Sequence, residues 1–153
     1  MTRMTIDLSG ATVAILLSAT PAPAGSDDAT GALWSRLRRI QSDFVSGDAN
    51  SLRTSFSSTA RLRVDLKGFT DRRAAYAPGQ LQVIFGEIFQ EHRTREMAFE
   101  KKDVTLSPGG TAFARGRWVR RPQLGGVETV DSLTFTLREE SGDWRILEIR
   151  SSR

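Results

Sequence analysis

The side chains of this chain that could move a proton are few. Its one histidine, His92, ends an apolar stripe formed by Leu81, Ile84, Phe85, Ile88 and Phe89. From there an imidazole serves either as a general base in a cavity or as a helix-end group bonded to a backbone carbonyl or to water. Tyr76, the one tyrosine, precedes that stripe; its hydroxyl either donates to a ligand or stays wet while the ring packs on a sheet edge. Asp65 alternates against Leu62, Val64 and Leu66 and faces away from them. Asp131 shares the parity of Leu133, Phe135 and Leu137, so it points inward near a strand end, as an acid-base group or as the partner of a neighbouring arginine. A dyad of Asp131 and His92, with Tyr76 as donor, would serve proton transfer. Spacing in sequence fixes no such geometry.

Other chemistries are excluded more firmly. There are no cysteines, hence no disulfide, thiolate nucleophile or cysteine-ligated zinc. One histidine cannot build a multi-histidine metal centre, and the acidic residues lack the spacing of a calcium loop. No G-x-S-x-G stretch is present, and Ser141-Gly142 reads as a turn. "QLGGVE" has neither a following helix nor a phosphate-binding lysine. Neither a metal nor a cofactor is expected. The net charge of +4 and a pI near 10.3 raise nucleic-acid binding, but the arginines fall in short pairs separated by acids. Lysine occurs only at Lys67, Lys101 and Lys102. No basic stripe with interleaved aromatics emerges, so a nucleic-acid partner is not expected.

The N-terminus has its own composition. Arg3, the apolar run from Ala11 to Ala19 and the small-x-small triplet Ala22-Pro23-Ala24 together read as a secretory signal peptide over residues 1–24. Asp7 offsets the positive start, and the competing reading is a plain extension on a cytoplasmic protein. The run is too short to span a bilayer, which takes about 20 residues. Without a following cysteine there is no lipoprotein anchor. Cleavage after Ala24 would send the chain to the periplasm or outside the cell, with residues 25–31 a polar leader and 32–153 a single domain.

Periodicity then gives helices first and strands afterwards. Leu33, Leu37, Ile40 and Phe44 recur at helical spacing from Ala32 to Ser46, and Gly47 stops that helix. Asp48 can cap a short helix through Phe56. "RLRVDLKG" alternates as a half-buried strand. A loop from Phe69 to Ala77 leads to Pro78, suited to a first helical turn, and to the apolar-striped helix ending at His92. Strands follow over about 94–106, 111–121, 128–139 and 144–151, joined by glycine-containing turns as an antiparallel meander. In "AFARGRW", Ala112, Ala114, Gly116 and Trp118 share one face, and Phe113, Arg115, Arg117 and Val119 the other. The result is an α+β domain with the helices on one face of the sheet.

That order resembles the nuclear transport factor 2-like superfamily, which includes SnoaL-like domains of cystatin-like cone fold. The residues carrying the likeness are "FVSGDANSLRTSF", "RLRVDLKG", "AAYAPGQLQVIF", "AFARGRW" and "GDWRILEIRS", from about Leu33 to Ser151. The resemblance implies a cone-shaped curved antiparallel sheet packed on N-terminal helices, with a cavity between the layers. Tyr76, Phe85, Phe89, His92, Trp118, Asp131 and Phe135 are the candidates to line it. Enzymes and binding proteins share that fold, and its steroid isomerase works with an aspartate base, a tyrosine and a protonated aspartate. Here five large apolar groups on one helix tend to fill the cone, each worth about 1.5 to 3 kcal/mol when buried. The expected function is therefore non-catalytic: binding of an apolar or amphipathic small molecule, or of a protein partner. A homodimer through the sheet face of Phe113 and Val119 is one form of the latter. The alternative is a small lyase, isomerase or hydrolase using His92 or Asp131.

Overall fold

A computed structural model describes residues 26–70 and 74–152; the expected signal peptide, residues 1–24, lies outside them. Helix α1 runs Ser26–Ser46, α2 Ala49–Arg53, β1 Leu62–Asp65, β2 Ala74–Tyr76 and α3 Pro78–Glu91. Four long strands follow: β3 His92–Ser107, β4 Thr111–Pro122, β5 Thr129–Glu140 and β6 Asp143–Ser152.

The first helix buries the expected stripe: Leu33, Leu37, Ile40 and Phe44 are almost fully shielded from solvent. It begins at Ser26, not Ala32, so the residues from Ser26 to Gly31 of the expected polar leader are helical. Asp27 and Asp28 in the first turn favour the positive helix end, and the indole of Trp144 donates to the Ala29 carbonyl at 3.2 Å. Gly47 takes a left-handed φ of 68°, which lets α1 turn sharply into α2. Asp48 caps α2 by accepting from the Ser51 amide at 2.9 Å. That helix stops at Arg53, short of Phe56, because Phe56 and Ser57 bridge to Ile146. In α3, Pro78 occupies the first turn and Leu81, Phe85, Ile88 and Phe89 are buried.

The strands form one sheet in the order β2-β1-β6-β5-β4-β3. The meander from β3 to β6 is antiparallel as expected. Two features differ from the sequence reading. The pairing of β1 with β6 is parallel, Arg63 opposite Glu148, so the sheet is not wholly antiparallel. And Ala74–Tyr76, read as loop, pairs with Leu62–Val64 as an edge strand. Register shifts at Thr94/Glu96, Phe99/Val104 and Thr136/Leu137 bend the strands, as bulges do, and the curved, unclosed sheet wraps the helices.

Aromatic rings occupy the space so enclosed. Phe44 meets Phe85, Phe89, Trp118 and Phe135 at centroid distances of 5.6, 5.5, 5.6 and 6.1 Å, each edge to face, the geometry favoured by ring quadrupoles. Phe99 adds a contact to Phe135 at 5.5 Å. A Cβ at Gly116 would lie 2.4 Å from the Met97 methyl and 2.9 Å from the Phe99 ring. The bare glycine is what admits both side chains to the sheet.

Candidate functional site

At the open end of the sheet the polar groups converge on Arg120. It follows Trp118 at the inward parity of β4, and its side chain is only 11% exposed. Its Nε and Nη2 each lie 3.0 Å from Asp131 Oδ2, and its Nη1 lies 3.4 Å from His92 Nδ1. The guanidinium packs over Phe69 at 4.6 Å and over Trp118 at 5.1 Å, in cation–π range. Phe69 meets the His92 ring edge-on at 5.3 Å. Below them the Trp118 indole donates to the buried Thr94 hydroxyl at 3.0 Å.

This geometry fixes the protons. Guanidinium has donors only, so His92 Nδ1 accepts and the imidazole is neutral, with its proton on Nε2. Burial first, then the Arg120 charge, hold the His92 pKa below its usual value, against a weaker opposite pull from Glu91. The Asp131 carboxylate is neutralised by the guanidinium it holds. Arg120 thus engages Asp131 Oδ2 and His92 Nδ1 together, which is the arrangement of a structural cluster.

The structure places the other sequence candidates as follows. Phe85, Trp118 and Phe135 are fully buried in the ring cluster, and Phe89 is buried at its border. Tyr76 packs against the core from the far edge strand, and its hydroxyl has no hydrogen-bond partner among the described residues. His92 and Asp131 meet only through Arg120, and Tyr76 joins neither. Arg120 and Phe69 were not anticipated. Arg120 was legible, since 116, 118 and 120 share one parity in an alternating strand; Phe69 lies in an aperiodic segment without such a signal.

A second feature lies outside the ring cluster. The α1–α2 turn, α3 and the start of β3 border an open groove of about 910 Å³. Val45 and Phe89 supply its apolar part, Asn50, Gln82, Gln90 and Gln123 its amides, and His92 its inner end. The amides are partly tied down: Gln82 bonds Asn50 and accepts from Arg53 at 2.9 Å, and Gln123 donates to the Phe89 carbonyl at 3.3 Å. Among the described residues no cluster of three or more histidine, aspartate or glutamate side chains is placed to hold a metal.

No protein-family model and no curated protein matches the chain. Solved structures do. A nuclear transport factor 2-like protein of unknown function from Shewanella oneidensis aligns with a TM-score of 0.62 at 15% identity, over 81% of this chain and 98% of that one. A ketosteroid isomerase-like protein from Erwinia carotovora atroseptica gives 0.61 at 20% identity, over 80% and 93%. A domain of unknown function with a cystatin-like fold from Nostoc punctiforme gives 0.62 at 12% identity, over 84% and 78%. The chain therefore has the nuclear transport factor 2-like, cystatin-like fold. At these identities the likeness is one of fold, and the fold hosts proteins named isomerase-like beside others of unknown function.

Proposed function

We propose that this domain is a non-catalytic binding module that takes an apolar or amphipathic small molecule. The observation that carries the reading is the state of the interior. Rings centred on Phe44 occupy it, and at its mouth Arg120 engages Asp131 Oδ2 and His92 Nδ1. Proton-transfer catalysis needs two titratable groups converging on a vacant space within hydrogen-bond reach of a substrate; a ring-filled interior offers no such space. The groove of Val45, Phe89 and four amides has the mixed lining of a ligand site. Placing a long side chain at its half-buried Gly86, whose Cβ direction is free to within 4.0 Å of Ala49, would obstruct it.

Native mass spectrometry of protein purified from its own source tests the reading. The expected result is a bound mass that disappears in Gly86→Met while the fold is kept. A ligand-free wild type with turnover on an isomerase or dehydratase substrate panel, abolished in His92→Gln, would establish the enzymatic alternative instead. The same spectra test two further parts of the proposal. An exported protein would lack residues 1–24. Val119, expected on the dimer face, is buried at 4% exposure, so a homodimer through the outer sheet face would rest on Phe113, 44% exposed, and Val130, 54% exposed; it would appear at twice the subunit mass and dissociate in Phe113→Lys.

A further inference from the structure

The arginines that look scattered in sequence are gathered by the sheet. Arg93 on β3 stands directly opposite Arg121 on β4. Arg95 enters at the bulge between Thr94 and Glu96. Together with Pro122, Gln123 and Gly125 they line one open pocket of about 310 Å³, to which no acidic residue contributes. All three are exposed, and none has an ion-pair partner among the described residues. Like charges directly opposite on neighbouring strands destabilise a sheet, so this arrangement calls for an anion from outside the chain.

The neighbouring hairpin indicates what carries the anion. The turn joining β4 to β5 projects Leu124, 103% exposed, and Val127, 85% exposed, beside the pocket wall of Gln123 and Gly125. Isolated surface apolar residues need no explanation, but two fully exposed aliphatic tips next to three uncompensated arginines form a mixed pattern. A soluble phosphate or nucleic acid would use the cations and leave the aliphatic tips in water. It would also find no aromatic platform in the pocket for base stacking. A membrane interface uses both, with phosphates against the guanidinium groups and aliphatic chains in the acyl boundary.

We propose that the β3–β4 end of the sheet, Arg93, Arg95 and Arg121 with the Leu124–Val127 hairpin tip, docks on anionic phospholipid surfaces. This inference goes beyond the small-molecule groove and does not rest on it. No helix among the described residues is long and apolar enough to cross a membrane, and the docking is peripheral.

Sedimentation of the full chain with vesicles tests it. Wild type is expected to bind phosphatidylcholine vesicles containing phosphatidylglycerol, to bind pure phosphatidylcholine far less, and to be released by salt. Arg93→Gln/Arg121→Gln should weaken binding roughly fivefold per arginine removed, and Leu124→Ser/Val127→Ser about tenfold. Circular dichroism melts establish that both variants are folded. The N-terminal apolar run is common to all three proteins, so undiminished binding by both variants overturns the proposal. So does displacement by inorganic phosphate with no effect of Leu124→Ser/Val127→Ser, which would mark a soluble-anion site.

Discussion

Arg120 is a cation almost withdrawn from water and held there by one carboxylate, one imidazole and two aromatic faces. Removing one member of such a cluster costs more than the cluster contributes, because the partner is left charged and unpaired. Arg120→Ala should therefore lower unfolding free energy by about 2 to 3 kcal/mol, less than for a fully buried pair since Asp131 keeps some solvent. In a urea-denaturation double-mutant cycle, Asp131→Asn should recover part of that loss. His92 gives a pH signature. Its pKa is lower in the folded chain than the ordinary 6.5, so the unfolded chain binds the extra proton. Stability is full above about 6.5 and falls as pH drops through the interval below it. Urea midpoints at pH 7.5 and 5.5 should differ for wild type, and less so in His92→Gln. As the only histidine, His92 gives a single imidazole resonance whose titration reports the depressed value directly. The inward parity of Asp131, and its alternative role as partner to an arginine, were legible in the alternation of β5. That the partner is Arg120 was not, because register between strands decides which residues meet: Trp118 lies opposite Asp131, which places Arg120 within reach.

Elements with strong periodicity emerged where the sequence put them, apart from their ends: α1 begins at Ser26, and His92, read as the end of the striped helix, opens β3 instead. Those held by tertiary contacts did not. The stripes of α1 and α3 and the alternation of β4 and β5 repeat often enough to identify themselves. Ala74–Tyr76 is too short to show alternation and is a strand only because β1 pairs with it. Residues 26–31 look like a leader by composition and are helical, with Trp144 bonded to Ala29. The segment after α2 shows the same dependence. Ser57, Ser58 and Thr59 are fastened to Glu140, which accepts from the Ser57 hydroxyl, from the Ser58 amide at 3.2 Å, from Thr59 Oγ1 at 3.1 Å and from Arg138 at 2.9 Å. Burial opposes ionisation here, but these donors outweigh it and hold the Glu140 pKa down to about 2. A depressed carboxylate stabilises the fold above its unfolded value, and that contribution disappears as pH falls from about 4.5 to about 2. Taken whole, the shift corresponds to about 3 kcal/mol, and solvent screening at this rim reduces it to about 1 to 2 kcal/mol. Glu140→Gln should lose that amount at pH 7 and show a flatter acid-denaturation profile than wild type by circular dichroism.

At the scale of the molecule, the sheet depends on the strand from Asp143 to Ser152. It lies between β1 and β5, pairs with both, and bridges to Phe56; Arg36 of α1 grips Asp143 at 2.7 Å. Deleting 143–152 strips β1 of its neighbour and removes Ile146 and Ile149, both fully buried, from the core. The shortened chain should show no cooperative thermal transition in calorimetry, whereas a loss confined to an edge strand would lower the midpoint and keep the transition. The fold class was legible because it follows from the order of elements, while the parallel junction was not, since no local pattern distinguishes parallel from antiparallel partners. That junction has a kinetic side. The strand that β1 requires is the last of this fold to be synthesised, so the earlier elements wait with their apolar faces open until translation delivers it. Closing contacts so remote in sequence is slow, and during that delay the nascent chain is most exposed to association with its own copies.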